Sequence, residues 1–421
     1  MKRSALALCL LLLVAAQAAA PPVRPTPAVR PPAGAGPAVR DVCANFWALA
    51  PAAEGKRQLL VLPAQDQAKW LPAQVPGLAP DAWDAVTLGE DGFVWLKKGA
   101  RTVRFDPRKP EKGVSEGAMR PDRIPAQNAW RVVSWMPASN HDLAAAVVGE
   151  RFYIAGGLTA DWGFPARSHP FDEIWELDPK KNWSWRAAAK LHRARIYCAT
   201  AAFEKQVWVI GGDVIEPDGT RYAVTTVERY DPRTGAVTRG PEPRLARPMP
   251  LALVAAGRLY VMGNAKGEYD KPGRMESLGP GETAWRHEPD GPAGMGPLAG
   301  TVLDDRLYVL VPGKGLATYD PATKQWTLLD SPAKPRSCQM AAWRDEIWMM
   351  GGRDIDNLAE TRIYNPRTRA WRMGPALPIP LSWGAAEVVA GALVIAGGAA
   401  ERAPDDKTWI YNDRTFVLTG R

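Results

Sequence analysis

An all-β propeller of four-stranded antiparallel blades is the fold class this sequence predicts, on three recurrences. An apolar strand ends in paired small residues at Tyr153-Ile154-Ala155-Gly156-Gly157, Trp208-Val209-Ile210-Gly211-Gly212, Trp348-Met349-Met350-Gly351-Gly352 and Val394-Ile395-Ala396-Gly397-Gly398. A turn of the Tyr-Asp-Pro type follows, as in Leu177-Asp178-Pro179, Tyr230-Asp231-Pro232, Tyr319-Asp320-Pro321 and Tyr364-Asn365-Pro366. A tryptophan stands shortly after the turn at Trp185, Trp326 and Trp371, and Trp285 holds a similar place. The strands recur every 39 residues (Pro312 to Gly351) to 55 residues (Gly156 to Gly211), the range of propeller blades.

Each part of the phrase has a mechanical reason. A run of Val, Ile, Tyr and Trp suits a strand buried on both faces. The glycine pair permits positive φ and close approach of a neighbouring backbone. In Asp231-Pro232-Arg233-Thr234, Asp accepts backbone N–H groups and Pro presets φ for a type I turn. The tryptophan supplies a plate to pack between sheets. Together these residues resemble the kelch repeat, over roughly residues 58–421.

Some copies depart from the pattern. Tyr260-Val261-Met262-Gly263-Asn264 and Tyr308-Val309-Leu310 are weaker strands, Val237 stands where Trp is expected, and Ser277-Leu278-Gly279-Pro280 replaces one turn. The first copy, Phe93-Val94-Trp95-Leu96, lacks the glycine pair but keeps Phe105-Asp106-Pro107. Counting strands from 93, 152, 207, 259, 307, 347 and 393 favours seven blades, with six if the first copy is decayed. The hairpin Leu59 to Leu71 looks like third and fourth strands without a first or second. It is expected to complete the last blade, so that N- and C-terminal strands close the ring and remove an edge.

Residues 1–18 read as a secretory signal peptide: Met1-Lys2-Arg3, an apolar run from Ala5 to Ala20, and Ala16-Gln17-Ala18 before the cleavage point. The apolar run is short for a membrane span. The Pro-, Ala- and Arg-rich stretch within 19–57 is expected to be a disordered linker, and 58–421 the propeller. The chain is thereby expected to be exported, to the periplasm or outside the cell, as a monomer. Its net charge of +8 falls to +6 once Lys2 and Arg3 leave. Interleaved Asp and Glu leave no basic stripe for nucleic acid. Cys198 and Cys338 each lie ten residues before a strand tryptophan, at equivalent places in separate blades, and are expected to be small buried fillers. With Cys43 the exported chain has an odd cysteine count.

Blade topology puts the second-to-third-strand loops and the inter-blade links on one face. Those loops are long and varied here (Leu158 to Asp172, Asp213 to Thr225, Lys266 to Arg274, Arg353 to Glu360), which marks the binding face. Counting back thirteen residues from each strand aromatic aligns Asn140, Arg195, Arg247, Met295 and Pro335 beside Arg336, with Leu381-Ser382 in the last copy. Arg195, Arg247 and Arg336 are expected to gather at the channel mouth. The resemblance to kelch proteins that bind acidic peptides through such arginines implies an anionic ligand. His141-Asp142 can form an acid/base pair, and Arg193, within His192-Arg193-Ala194-Arg195, joins the basic mouth.

The expected ligand residues are therefore Asn140, His141, Arg193, Arg195, Arg247, Arg336 and Ser382. No Cys/His spacing resembles a zinc site. Asp161, Asp172 and Glu173 read as a solvated loop, and His169 and His287 as loop residues. The absence of a Tyr-His dipeptide argues against the copper chemistry of kelch-like oxidases. No cofactor and no catalytic residue are expected. The chain reads as a binding module for protein, peptide or carbohydrate. The alternative is a sugar-acid enzyme resembling the exported kelch mutarotases that act on sialic acid.

Overall fold

The computed structural model describes residues 27, 29–41, 45–63, 69–88, 93–105, 107, 110–116, 129–159, 169–216, 218–294, 299–332, 335–402 and 409–419. The signal peptide, Cys43, Asp161 and Met295 lie outside the described residues. Among those residues there is no α-helix, and no helix is long and apolar enough to cross a membrane.

Six four-stranded antiparallel sheets form the ring. Their inner strands are Ala145–Val148, Ala199–Phe203, Leu251–Ala255, Ala299–Leu303, Gln339–Trp343 and Ala385–Val389, which number blades 1 to 6. Each of these strands packs beside the next, and blade 6 packs beside blade 1. Separate apolar cores lie between blades. Phe152, Trp175, Val394 and Val417 fill the space between blades 6 and 1, and Tyr153, Ile174, Val209 and Tyr230 that between blades 1 and 2. Burying such side chains contributes about 1.5–3 kcal/mol each, so the ring is held by its inter-blade contacts.

Of the two blade counts, six is the one observed. The copy at Phe93 is outside the ring. It belongs to a sheet of Ala85–Leu88, Val94–Lys98, Arg101–Phe105 and Ser115–Glu116, which packs against a sheet of Val39–Arg40, Phe46–Pro51, Arg57–Leu62 and Leu71–Pro72. Trp47, Leu49, Trp83, Leu96 and Phe105 make their shared core. Strands over 39–51 also replace part of the linker expected at 19–57. The apolar run Phe46-Trp47-Ala48-Leu49 outweighs the surrounding Pro and Ala.

Closure uses a different N-terminal strand from the expected one. Arg131–Trp135 pairs with Arg414–Leu418 as the fourth strand of blade 6. The hairpin at 59–71 belongs to a separate sheet, in which Arg57–Leu62 lies between Phe46–Pro51 and Leu71–Pro72. Trp130, just before the closing strand, donates from Nε1 to Pro375 O at 3.3 Å. Trp285 and Trp371 reach back towards the preceding blade in the same way, to Pro241 O at 2.9 Å and Asp330 O at 2.9 Å.

The glycine pairs join one blade to the next on the link face. Gly157 N–H donates to Arg195 O at 2.8 Å, Gly352 to Leu381 O at 2.7 Å, and Gly398 to Asn140 O at 2.8 Å across the closure. These glycines have φ of +92°, +91° and +99°, a region costly for side-chain-bearing residues. A Cβ on Gly157 would also lie 2.1 Å from Asn140 Oδ1.

Two-stranded ribbons rise from three second-to-third-strand connections on this face. They are Leu158–Thr159 with His169–Pro170 (blade 1), Asp213–Ile215 with Arg221–Ala223 (blade 2), and Ala399–Arg402 with Trp409–Tyr411 (blade 6). The three blades are neighbours, so the ribbons wall one side of the channel.

Candidate functional site at the channel mouth

Two of the arginines expected at the axis, Arg195 and Arg247, are instead buried within the scaffold. Arg195 donates from Nη1 to Gly211 O at 3.3 Å and Thr226 O at 2.8 Å, and its Nη2 lies 3.4 Å from Glu228 Oε1. Arg247 repeats the arrangement one blade on, with Nε on Gly263 O at 3.1 Å and Nη2 2.9 Å from Glu276 Oε2. Asn140 does the same work in blade 1, donating to Gly156 O at 2.9 Å. Each of these side chains satisfies the carbonyl of the glycine just after the blade's second strand. Such a carbonyl, if buried and unpaired, would destabilise the fold.

The remaining expected residues do not line the central cavity described below. Arg193 is exposed, pairs with Glu216 and stands over the Tyr222 ring at 5.8 Å. Arg336 is exposed and its backbone pairs with that of Arg353. Ser382 is buried and donates to Asn357 Oδ1 at 2.8 Å. His141 is buried, stacked on Tyr411 at 4.1 Å, with Nδ1 3.1 Å from Asp142 Oδ2. The acidic loop pair is engaged too: Lys190 Nζ lies 3.1 Å from Asp172 and 3.4 Å from Glu173.

A cavity of about 340 Å³ occupies the axis, and the residues around its mouth come from the link positions just after the expected ones. Asp142, Tyr197, Ser337 and Trp383 occupy equivalent places in blades 1, 2, 5 and 6, and Met249 in blade 3. The first four have φ of +62°, +55°, +53° and +52°. Left-handed backbone is uncommon outside glycine, and in each of these links it accompanies a side chain that lines the cavity. Sequence counting aligned the links correctly but could not tell which of successive residues faces inwards.

Charged and aromatic side chains meet around the mouth. Arg221 lies over the Tyr197 ring at 5.0 Å and its Nε bonds Asp213, while Arg353 lies over the Trp383 ring at 5.0 Å. Burial pushes the Tyr197 hydroxyl well above its ordinary pKa, helped by the negative charge of Asp142. Burial also raises the Asp213 carboxyl, against the opposing pull of Arg221. Deeper along the channel, burial pushes Glu387 up to about 7. The site can hold a polar ligand against aromatic faces with carboxylates as acceptors. Among the described residues no group of three His, Cys, Asp or Glu is placed to hold a metal.

Comparison with known proteins agrees with the repeat and the ring. No family model matches. The chain is 23% identical over 257 residues to Kelch-like protein 25 of Xenopus tropicalis, covering 58% of this chain and 42% of that protein. It is 26% identical over 260 residues to Kelch-like protein 35 of Mus musculus, covering 60% and 42%. With Kelch-like protein terF of Aspergillus terreus the identity is 28% over 239 residues, covering 48% and 50%. The chain is a kelch-repeat β-propeller. It spans half or less of the length of these kelch relatives. A solved structure, that of YjhT, matches with a TM-score of 0.56 at 15% identity, covering 69% of this chain and 97% of that one. At that identity the likeness is one of fold.

Proposed function

We propose that this kelch propeller is an exported binding module that takes a polar ligand, a carbohydrate or a peptide segment, at the walled side of its channel mouth. The observation that carries the proposal is the set of left-handed link residues Asp142, Tyr197, Ser337 and Trp383 around one cavity of about 340 Å³. A volume of several hundred Å³ with aromatic faces and a few polar groups is typical of ligand sites. Among the described residues the cavity lining includes two carboxylates, Asp142 and Glu387, and no Arg, Lys or His. The anionic ligand expected from the sequence loses its support, since Arg195 and Arg247 are committed to Glu228 and Glu276.

The test is calorimetric titration with neutral hexoses, hexuronates and short acidic and basic peptides, on the native protein and on Trp383→Ala. Saturable binding that weakens in Trp383→Ala supports the proposal. Binding that is undiminished in that variant, or no binding across the panel, overturns it.

A further inference from the structure

We propose that the channel receives a primary alkylammonium group and that Glu387 is the anion that holds it. The inference rests on the cavity being the ligand site and adds the chemical class. The lining is a shaft of small apolar residues, Ala144, Ala199, Ala299 and Ala385 among them, with Thr200, Thr301 and Gln339 as neutral polar groups. Such walls suit an alkyl chain. Glu387 projects from the inner strand of blade 6, partly buried, and among the described residues accepts only a long 3.3 Å hydrogen bond, from its neighbour Val388 N–H.

The groups facing the shaft show what is missing. Titratable groups among its lining residues are Asp142 from blade 1, Tyr197 and Cys198 from blade 2, Cys338 from blade 5 and Glu387 from blade 6. All are neutral or anionic. Asp142 has a side chain of 0% exposure, its Oδ2 stands 3.1 Å from His141 Nδ1, and it interacts with the Tyr197 hydroxyl. A buried carboxylate with few donors, as Glu387 is, is costly. An ammonium is a compact cation with three donors, and on an alkyl stem it matches the apolar walls and the Glu387 carboxyl, with the Asp142 charge at the mouth adding to the attraction. Its charge would also favour ionised Glu387, which burial otherwise opposes. Binding should therefore release protons, and weaken as pH falls below about 7.

The experiment titrates the full chain with n-butylamine, n-butanol and butyrate, one shape in three charge states, at about pH 8 and about pH 6. Charge-assisted contacts of this kind correspond to about tenfold to a hundredfold in affinity. Butylammonium should bind better than butanol by that margin at the higher pH, and butyrate worst. Glu387→Gln, which keeps the shape and removes a buried charge, should erase the margin, and Asp142→Asn should reduce it. A blocked lysine amide tells the source apart: tighter binding than butylamine points to a peptide side chain, and weaker binding to a free amine. Equal binding of butylamine and butanol, or an unchanged margin in Glu387→Gln, overturns the proposal. If a sugar or peptide still binds in a Trp383-dependent way, only the amine inference has failed. If no ligand depends on Trp383, the binding-site proposal has failed with it.

Discussion

The link face is built differently on its two sides, above a scaffold that does not change. Blades 6, 1 and 2 carry the ribbons at 399–411, 158–170 and 213–223. Among the described residues, blades 3, 4 and 5 make the same connection with short turns or irregular loops. Beneath this asymmetry, Arg195–Glu228 in blade 2 and Arg247–Glu276 in blade 3 are the same buried pair, one on each side. What repeats around the ring belongs to the scaffold. The His141–Asp142–Tyr411 cluster appears on the walled side only, and the proposed ligand site is set beside it.

The strongest way to break this comparison is to remove the repeating pair. Arg195→Ala and Arg247→Ala should each destabilise the protein by about 3–5 kcal/mol, because a buried Glu is left uncompensated. Urea unfolding measures this, and the two losses should be similar although the arginines lie on different sides. Ligand affinity of the folded fraction should not change. A clear loss of affinity with little loss of stability would return these arginines to the site.

Glu387 gives the next largest effect, and its sign follows from linkage. Its pKa is raised in the folded state, from 4.5 to about 7, so the folded protein binds the proton more tightly than the unfolded chain. The resulting stability is full below about pH 4.5 and is lost as pH rises through about 7, amounting to about 3 kcal/mol at most. Glu387→Gln should flatten that part of the pH–stability profile and melt above the native protein at about pH 8. An unaltered profile would show that the carboxyl is well solvated in the channel.

Within the binding site, the sides should differ by about tenfold. Trp383→Ala on the walled side should weaken ligand binding by that factor or more, an aromatic contact being worth about 1–2 kcal/mol here. Met249→Ala on the open side should leave it within a factor of about three, and equal losses would erase the asymmetry. The smallest expected effect is chemical. Cys198 and Cys338 are buried and free, Cys198 donates to Ala155 O at 3.3 Å, and burial pushes Cys338 up to about 12. Both should react slowly with a thiol reagent in the native state, at similar rates.

The repeat was legible in the sequence because each part of it meets a local steric demand. The Gly pairs sit at positive φ where Cβ atoms would clash, and Cys198 and Cys338 occupy equivalent positions as the register required. Closure was misread, although a signal was present. Trp130-Arg131 repeats the Trp-Arg of Trp185-Arg186, Trp285-Arg286 and Trp371-Arg372 on the outer strands, and it marks the true fourth strand of blade 6. It lies far in sequence from its partner, Arg414–Leu418, so local pattern alone did not join them. The cavity-lining residues stand one or two positions after the counted ones in each described link. A count from the strand finds the link, but the left-handed residue at 142, 197, 337 and 383 decides which side chain faces inwards. Nothing in the residue types announces that turn.

The most direct test is the dissociation constant of one ligand, the tightest of the hexose and peptide panel, for Asp142→Asn beside Arg195→Ala. Both are measured well below the melting temperature of the weaker protein. Asp142 lines the cavity and Arg195 lies in the scaffold behind it. The expected result is a loss of about tenfold or more for Asp142→Asn and an unchanged constant for Arg195→Ala. An unchanged constant for Asp142→Asn with a large loss for Arg195→Ala would contradict the account.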